Sequence, residues 1–343
     1  MTVYRDSKRI VGTNADRIGI PAISGGWKEL DRTTLGSAGD TISVTGLADK
    51  RYLMILGSKI PSGSSDLVYR FNTDDDDNYC IRFSDNYGSD GTGTGQSRLV
   101  GDNGGSTTPS FQVGFVANKS DREKLFINNA VGQNGTSAGD CPVSREAIGK
   151  WTNTSNSISS VQGIQQEGGD LASGSEVVVL GWDPDDTHTD NFWEPLATVY
   201  GDGSSTNLSS GTITAKKYLW VQAYTQTSNA HKMTFNNDTA LNYARRWGAN
   251  GGSENLNASQ NGIGTQWTTT TCFLNMFIAN ISGQQKLILG NDVERNSAND
   301  ASATPYRFNF VGKWTGTSQI TEIDFNKVGN FTSTDYIKVW GSN

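Results

Sequence analysis

A long internal repeat constrains this chain more than any other feature. Phe115-Val116-Ala117-Asn118 leads through Glu123-Lys124-Leu125 to Gly149-Lys150-Trp151-Thr152 and closes on Val179-Leu180-Gly181-Trp182. The same order returns as Phe277-Ile278-Ala279-Asn280, Gln285-Lys286-Leu287, Gly312-Lys313-Trp314-Thr315 and Val339-Trp340-Gly341. Upstream, Trp27-Lys28-Glu29-Leu30 pairs with Trp193-Glu194-Pro195-Leu196. Phe71-Asn72 followed by Asn78-Tyr79 and Arg82 pairs with Phe235-Asn236 followed by Asn242-Tyr243 and Arg246. Matches of Gly, Ser or Asn alone would be cheap in this composition, but Trp, Tyr, Phe and Lys recurring in fixed order are not. A unit of about 160 residues lies within the usual domain range and far above the roughly 20 to 50 residues of solenoid repeats. The chain therefore reads as an arm (1–26), a first copy (27–182), a linker (183–191) and a second copy (192–343).

The composition points to strands and turns. Among 343 residues there are 40 Gly, only 18% are charged, and Ser, Thr and Asn crowd between short apolar runs. That mixture disfavours helices and favours turns. Nine Trp and thirteen Phe supply large core side chains despite 34% hydrophobic content. Thr41-Ile42-Ser43-Val44 alternates, Tyr52-Leu53-Met54-Ile55-Leu56 is a buried apolar run, and residues 66–72 place Leu67, Tyr69 and Phe71 on one face. An acidic turn, Asp74 to Asp77, then leads to Tyr79-Cys80-Ile81-Arg82-Phe83, which predicts a hairpin. Residues 84–110 and 248–271 read as long polar loops, fit for binding rims or subunit contacts.

Candidate chemistry is sparse. The net charge of -7, from 28 basic and 35 acidic residues, argues against a general nucleic-acid surface. No apolar run is long enough for a transmembrane helix or a signal-peptide core. Cys80, Cys141 and Cys272 are too scattered for a zinc site and too few for a disulfide framework, so they read as small buried residues. The four aspartates at 74–77 invite calcium, but the second copy keeps one carboxylate there and the EF-hand spacing is missing, so a solvated turn fits better. His188, beside acids in the linker, has no counterpart in the other copy and reads as part of an exposed connector. Glu29 with Glu194, and Asp170 with Glu176, are the carboxylate pairs weighed for glycosidase chemistry, and solvated charges are the plainer reading. No catalytic residue, cofactor site or metal site is expected.

The repeat-defining residues are Trp27, Trp193, Phe71, Phe235, Tyr79, Tyr243, Trp151 and Trp314. The last two read as core, because duplicated copies agree where the fold demands it. In the arm, Arg5, Lys8, Arg9 and Arg17 are the candidates for contact with a neighbouring subunit or an inner surface.

The segment from Arg70-Phe71-Asn72 through Asn78-Tyr79 to Arg82, the Gly149-Lys150-Trp151-Thr152 string and the closing Gly174-Ser175-Glu176-Val177-Val178-Val179-Leu180-Gly181 resemble a domain of virion proteins from phages and environmental viruses. The resemblance spans both copies and carries no catalytic residues. It implies an all-β chain of two tandem homologous jelly-roll-like antiparallel β-sandwiches, a double jelly roll, in a capsid, decoration or tail-appendage protein. It further implies a homo-oligomer, a trimer by analogy with double jelly-roll capsomers, contacting other virion proteins in a particle assembled in the host cytoplasm. A tail-fibre or receptor-binding appendage is the nearest variant. A tandem carbohydrate-binding module is the rival from another class, since exposed Trp, Tyr and Asn on a sandwich suit glycans.

Overall fold

The computed structural model describes residues 26–102, 107–226, 231–264, 271–295 and 304–343, together with the backbone of Val3–Arg5 and Lys8–Val11. Those two short segments, β1 and β2, pair antiparallel with each other. Every other described element is also a β-strand, and all pairings are antiparallel. No helix among the described residues is long and apolar enough to cross a membrane.

The first large sheet has eight strands in the spatial order β3 (Lys28–Thr34), β15 (Glu176–Trp182), β5 (Tyr52–Lys59), β10 (Ser110–Ala117), β11 (Lys124–Gly132), β12 (Val143–Trp151), β8 (Tyr79–Asp85) and β9 (Asp90–Gln96). A three-stranded sheet covers one of its faces: β4 (Thr41–Thr45), β13 (Ser160–Ile164) and β7 (Val68–Phe71). A short pair, β14 (Asp170–Leu171) with β6 (Pro61–Ser62), sits at its end. The second large sheet also has eight strands, ordered β16 (Glu194–Tyr200), β27 (Tyr336–Ser342), β18 (Tyr218–Thr225), β23 (Cys272–Ala279), β24 (Lys286–Glu294), β25 (Tyr306–Trp314), β20 (Tyr243–Ala249) and β21 (Asn255–Gln260). Its smaller partner carries four strands, β17 (Asn207–Ser209), β26 (Ile323–Lys327), β19 (His231–Phe235) and β22 (Ile263–Gly264).

Alternation along the strands explains both the sandwich cores and the layer between them. In β5, Leu53 and Ile55 face the interior of the first sandwich with Phe71, Trp151 and Val179. Met54 and Leu56 point the other way, against a layer that also holds Trp193, Tyr218, Leu287 and Val311 of the second half. A strand buried on both faces must be apolar at consecutive positions. This accounts for the unbroken Leu53-Met54-Ile55-Leu56 run, and each such side chain contributes about 1.5–3 kcal/mol by burial. The two large sheets therefore pack outer face to outer face, with the small sheets outside them. Polar ties reinforce the contact: Lys313 Nζ donates to the carbonyls of Gln133 and Gly135 at 3.1 and 3.0 Å, and Tyr218 Oη donates to Glu176 at 2.9 Å.

Two expectations are corrected. The segment from Phe71 to Tyr79 is not a hairpin, because β7 pairs with β13 in the small sheet while β8 pairs with β12 and β9 in the large one. The chain crosses between layers at Asn72 and Thr73, both in the left-handed region with φ of 52° and 57°, and Asn236 and Asn237 repeat this at 51° and 58°. Asn tolerates that conformation well, and its side chain serves as the clip. Asn72 Oδ1 accepts from the amides of Ser159 and Ser160, and Asn236 Oδ1 from those of Thr321 and Glu322. Second, the long polar stretches contain the edge strands β9 and β21. An edge strand needs no apolar face, so the Gly-Thr alternation of Asp90–Gln96 gives no hydrophobic period to detect. The linker is exposed at five of its nine residues, and it is also tied down. Asp186 pairs with Lys50, and the half-buried His188 meets the Gly26 carbonyl through Nε2 at 3.0 Å.

Candidate functional site

The residues singled out by the repeat fall into two groups. Trp151 and Trp314 are buried, and each indole N–H donates to the first aspartate of the crossing turn: Asp74 at 2.6 Å and Asp238 at 2.7 Å. Tyr79 and Tyr243 lie stacked on them, and their hydroxyls accept the Phe71 and Phe235 amides at 3.0 and 2.9 Å. With Phe71 and Phe235, these make six repeat side chains in the sandwich cores. The acidic turn thus serves as an indole acceptor, with Asp74 also taking the Asn78 amide. Lys124 and Lys286, fully buried, cap loop carbonyls; Lys286 donates to Ile281, Gln284 and Thr317, and burial pushes its pKa down to about 8.

Trp27 and Trp193 belong instead to the layer between the sheets, where a cleft of about 230 Å³ opens. Its aromatic wall comes from both halves: Phe115 and Phe277 are 6.5 Å apart, and Trp193 lies 5.9 Å from both Trp220 and Phe277. Amides supply the polar wall. Asn309 Nδ2 donates to Glu146 at 2.5 Å, Asn291 Nδ2 donates to Asn309 Oδ1 at 3.0 Å, and Trp220 Nε1 donates to Asn275 at 2.7 Å. The buried indole N–H of Trp193 has no hydrogen-bond partner. Burial pushes the Glu146 carboxyl up, while the Asn309 bond and the Arg307 charge act against that shift. Arg145, which also lines the cleft, makes a bidentate bond to Asp85 at 2.6 and 2.7 Å and donates to the Asp102 carbonyl.

Chemically, the cleft combines flat apolar surfaces with amide donors and acceptors and a single lining carboxylate, Glu146. Glycoside hydrolysis of the usual kind needs two carboxyl groups flanking the bond, so this arrangement suits binding. The carboxylates weighed from sequence are engaged elsewhere. Glu29 pairs with Arg32, Glu194 with Lys216, and Glu176 with Lys217, while Asp170 lies in the short strand β14. Among the described residues one group has metal-ligating character: Cys272, Asp292 and Glu294, all buried, with candidate ligand atoms within 4.8 Å of one another. Of the arm candidates, Arg5, Lys8 and Arg9 lie in the paired segments by backbone alone; their side chains, and Arg17 entirely, lie outside the described residues.

No family model matches this chain, and no curated protein matches it. Solved structures similar to it include the LG1-3 region of the laminin alpha2 chain, at 9% identity over 99% of this chain and 66% of that one, with a TM-score of 0.21. This chain thus spans just under two thirds of that structure's length. The LG4-5 domains of the mouse laminin alpha1 chain match at 10% identity over 93% of this chain and 89% of that one, with a TM-score of 0.19. Neisserial surface protein A matches at 7% identity over 81% of this chain and 97% of that one, with a TM-score of 0.15. At these TM-scores the likeness is one of all-β construction and goes no further.

Proposed function

We propose that this chain is a non-enzymatic structural protein of a virion, a capsid or capsid-attached subunit made of two tandem jelly-roll-like sandwiches. The observation that carries the reading is the matching strand order of the two large sheets, fused outer face to outer face into one four-layered block. Such a block presents hydroxyl- and amide-rich loops and strand edges for repeated contacts. The arm residues Arg5, Lys8, Arg9 and Arg17 are assigned to subunit contact, and the assembly to a homo-oligomer, a trimer in the simplest case. Electron microscopy and sedimentation of the purified chain test this. Closed oligomers or particles that are lost on deleting residues 1–25 are expected, whereas a chain that stays monomeric at high concentration overturns it.

One observation favours a second role for the same subunit. The aromatic and amide cleft, with an unpartnered buried Trp193 N–H, suits a sugar ring: apolar faces stack on Trp and Phe while hydroxyls meet Asn and Glu146. On this reading the subunit is a receptor-binding appendage or carbohydrate-binding module. A glycan array detects it, with binding reduced by Trp220→Ala; silence across the array removes the second role and leaves the first in place.

A further inference from the structure

In the second large sheet Cys272 on β23 lies directly opposite Glu294 on β24, and Asp292 lies opposite Leu274. Strand alternation puts Cys272, Asp292 and Glu294 on the face that carries Leu274, Met276 and Ile288 into the core of the second sandwich. They are 1%, 5% and 1% exposed. Neither Glu294 oxygen has a hydrogen-bond partner, nor does Asp292 Oδ1. Buried carboxylates are normally paired, hydrogen-bonded or bound to a metal, because an uncompensated one costs several kcal/mol.

Among the described residues, the nearby cations are engaged by other partners. The Arg245 charge reaches Asp292, but its Nε donates to Asn257 and its guanidinium lies 5.7 Å from the Trp247 ring centroid. Lys327 is bound to Asp335 at 2.9 Å. The first sheet shows what the same place looks like when a side chain supplies the charge. There Lys59, Ser110 and Gly132 occupy the register that Thr225, Cys272 and Glu294 occupy in the second. Lys59 Nζ, fully buried, pairs with Asp102 at 2.8 Å, and Ser110 donates to the same carboxylate at 2.5 Å. In the second sheet Thr225 stands at the lysine's register, a thiol and two acids stand beside it, and the buried Lys327 that reaches Thr225 Oγ1 at 3.4 Å comes from the small sheet and is paired with Asp335.

We propose that Cys272 Sγ and the carboxylates of Asp292 and Glu294 bind a divalent transition-metal ion, with zinc the ion that fits this donor set. A thiolate selects zinc over calcium or magnesium, and two carboxylates complete three positions of a tetrahedral site whose fourth takes water. The ion clamps the ends of β23 and β24.

The test uses the full chain, stripped with a chelator and titrated with Co2+ and then Zn2+. One Co2+ per chain is expected, with a sulfur-to-cobalt charge-transfer band that Zn2+ displaces and a rise in melting temperature with Zn2+. Cys272→Ser removes the band, Cys80→Ser keeps it, and Glu294→Gln, close in shape to the protonated acid and so expected to fold, weakens zinc at least tenfold. A wild-type chain that takes up no Zn2+ at millimolar concentration overturns the proposal. So does a band that survives Cys272→Ser, or zinc binding unchanged in Glu294→Gln.

Discussion

The layer-crossing corner gives a sharp quantitative expectation. The Tyr243 hydroxyl accepts the Phe235 amide at 2.9 Å and donates to the Asp238 carbonyl at 2.9 Å, while its ring stacks on Trp314. Tyr243→Phe keeps the ring and removes only the oxygen, leaving a buried amide N–H with no partner. Orphaning such a group costs about 1–3 kcal/mol. At about 2–4 °C per kcal/mol for a domain of this size, the melting temperature should fall by roughly 2–12 °C. In the first sandwich the equivalent bonds are longer, at 3.0 Å from Phe71 and 3.2 Å to Asp74, so Tyr79→Phe should cost less. The corners are in separate sandwiches and share no partner, so the double variant should be additive to within about 0.5 kcal/mol. Calorimetry of the three variants is the assay. A shift below about 1 °C for Tyr243→Phe would mean that the amide finds another acceptor and that the hydroxyl is not the clip.

Asp102→Ala strands the fully buried Lys59 and should cost about 3–5 kcal/mol in chemical denaturation, much of it recovered in Lys59→Met/Asp102→Leu. Trp193→Ala opens the layer between the large sheets and should cost about 3–5 kcal/mol, with protease sensitivity appearing at the 183–191 linker. Glu176, Asp238 and Asp335 titrate below the ordinary carboxyl range: burial raises each, but hydrogen bonds outweigh it, notably from Thr34 to Glu176, Trp314 to Asp238 and the Gln226 amide to Asp335. Groups depressed in the folded state stabilise it fully above the unfolded carboxyl pKa. That stability is lost as pH falls through their folded values, so melting temperature should drop on acidification and Glu176→Gln should flatten the profile.

Much of the fold was legible because the repeat carries its own control. A residue kept at both Trp151 and Trp314 is one the sandwich needs, and both indoles are buried. The Asn72 and Asn236 clips were visible as repeated letters, but their left-handed backbone was not, so a crossing between layers read as a hairpin. Edge strands β9 and β21 escaped notice because a strand with one neighbour and no apolar face has no period. The cleft was illegible because Asn129, Glu146, Asn275 and Asn309 sit on different strands, and no spacing along the chain brings them together. Cys272, Asp292 and Glu294 left a trace after all. Alignment of the two copies sets Asp292 and Glu294 against Ala130 and Gly132, two apart on one strand face, so acids stand where the other copy has small residues. Weighing the cysteines by mutual spacing alone hid this, because the partners of Cys272 are carboxylates on the neighbouring strand.

The cleft sets like against like. Phe115 meets Phe277 and Glu146 meets Asn309, and each pair holds corresponding register positions, since Glu146 is opposite Asn129 and Asn309 opposite Asn291. That is the signature of a local dyad inside a single polypeptide. A contact arranged about a dyad is self-complementary and closes once both partners are in place. This chain has already used that closing contact internally, so any further self-association must use other surfaces, by rotations unrelated to that axis.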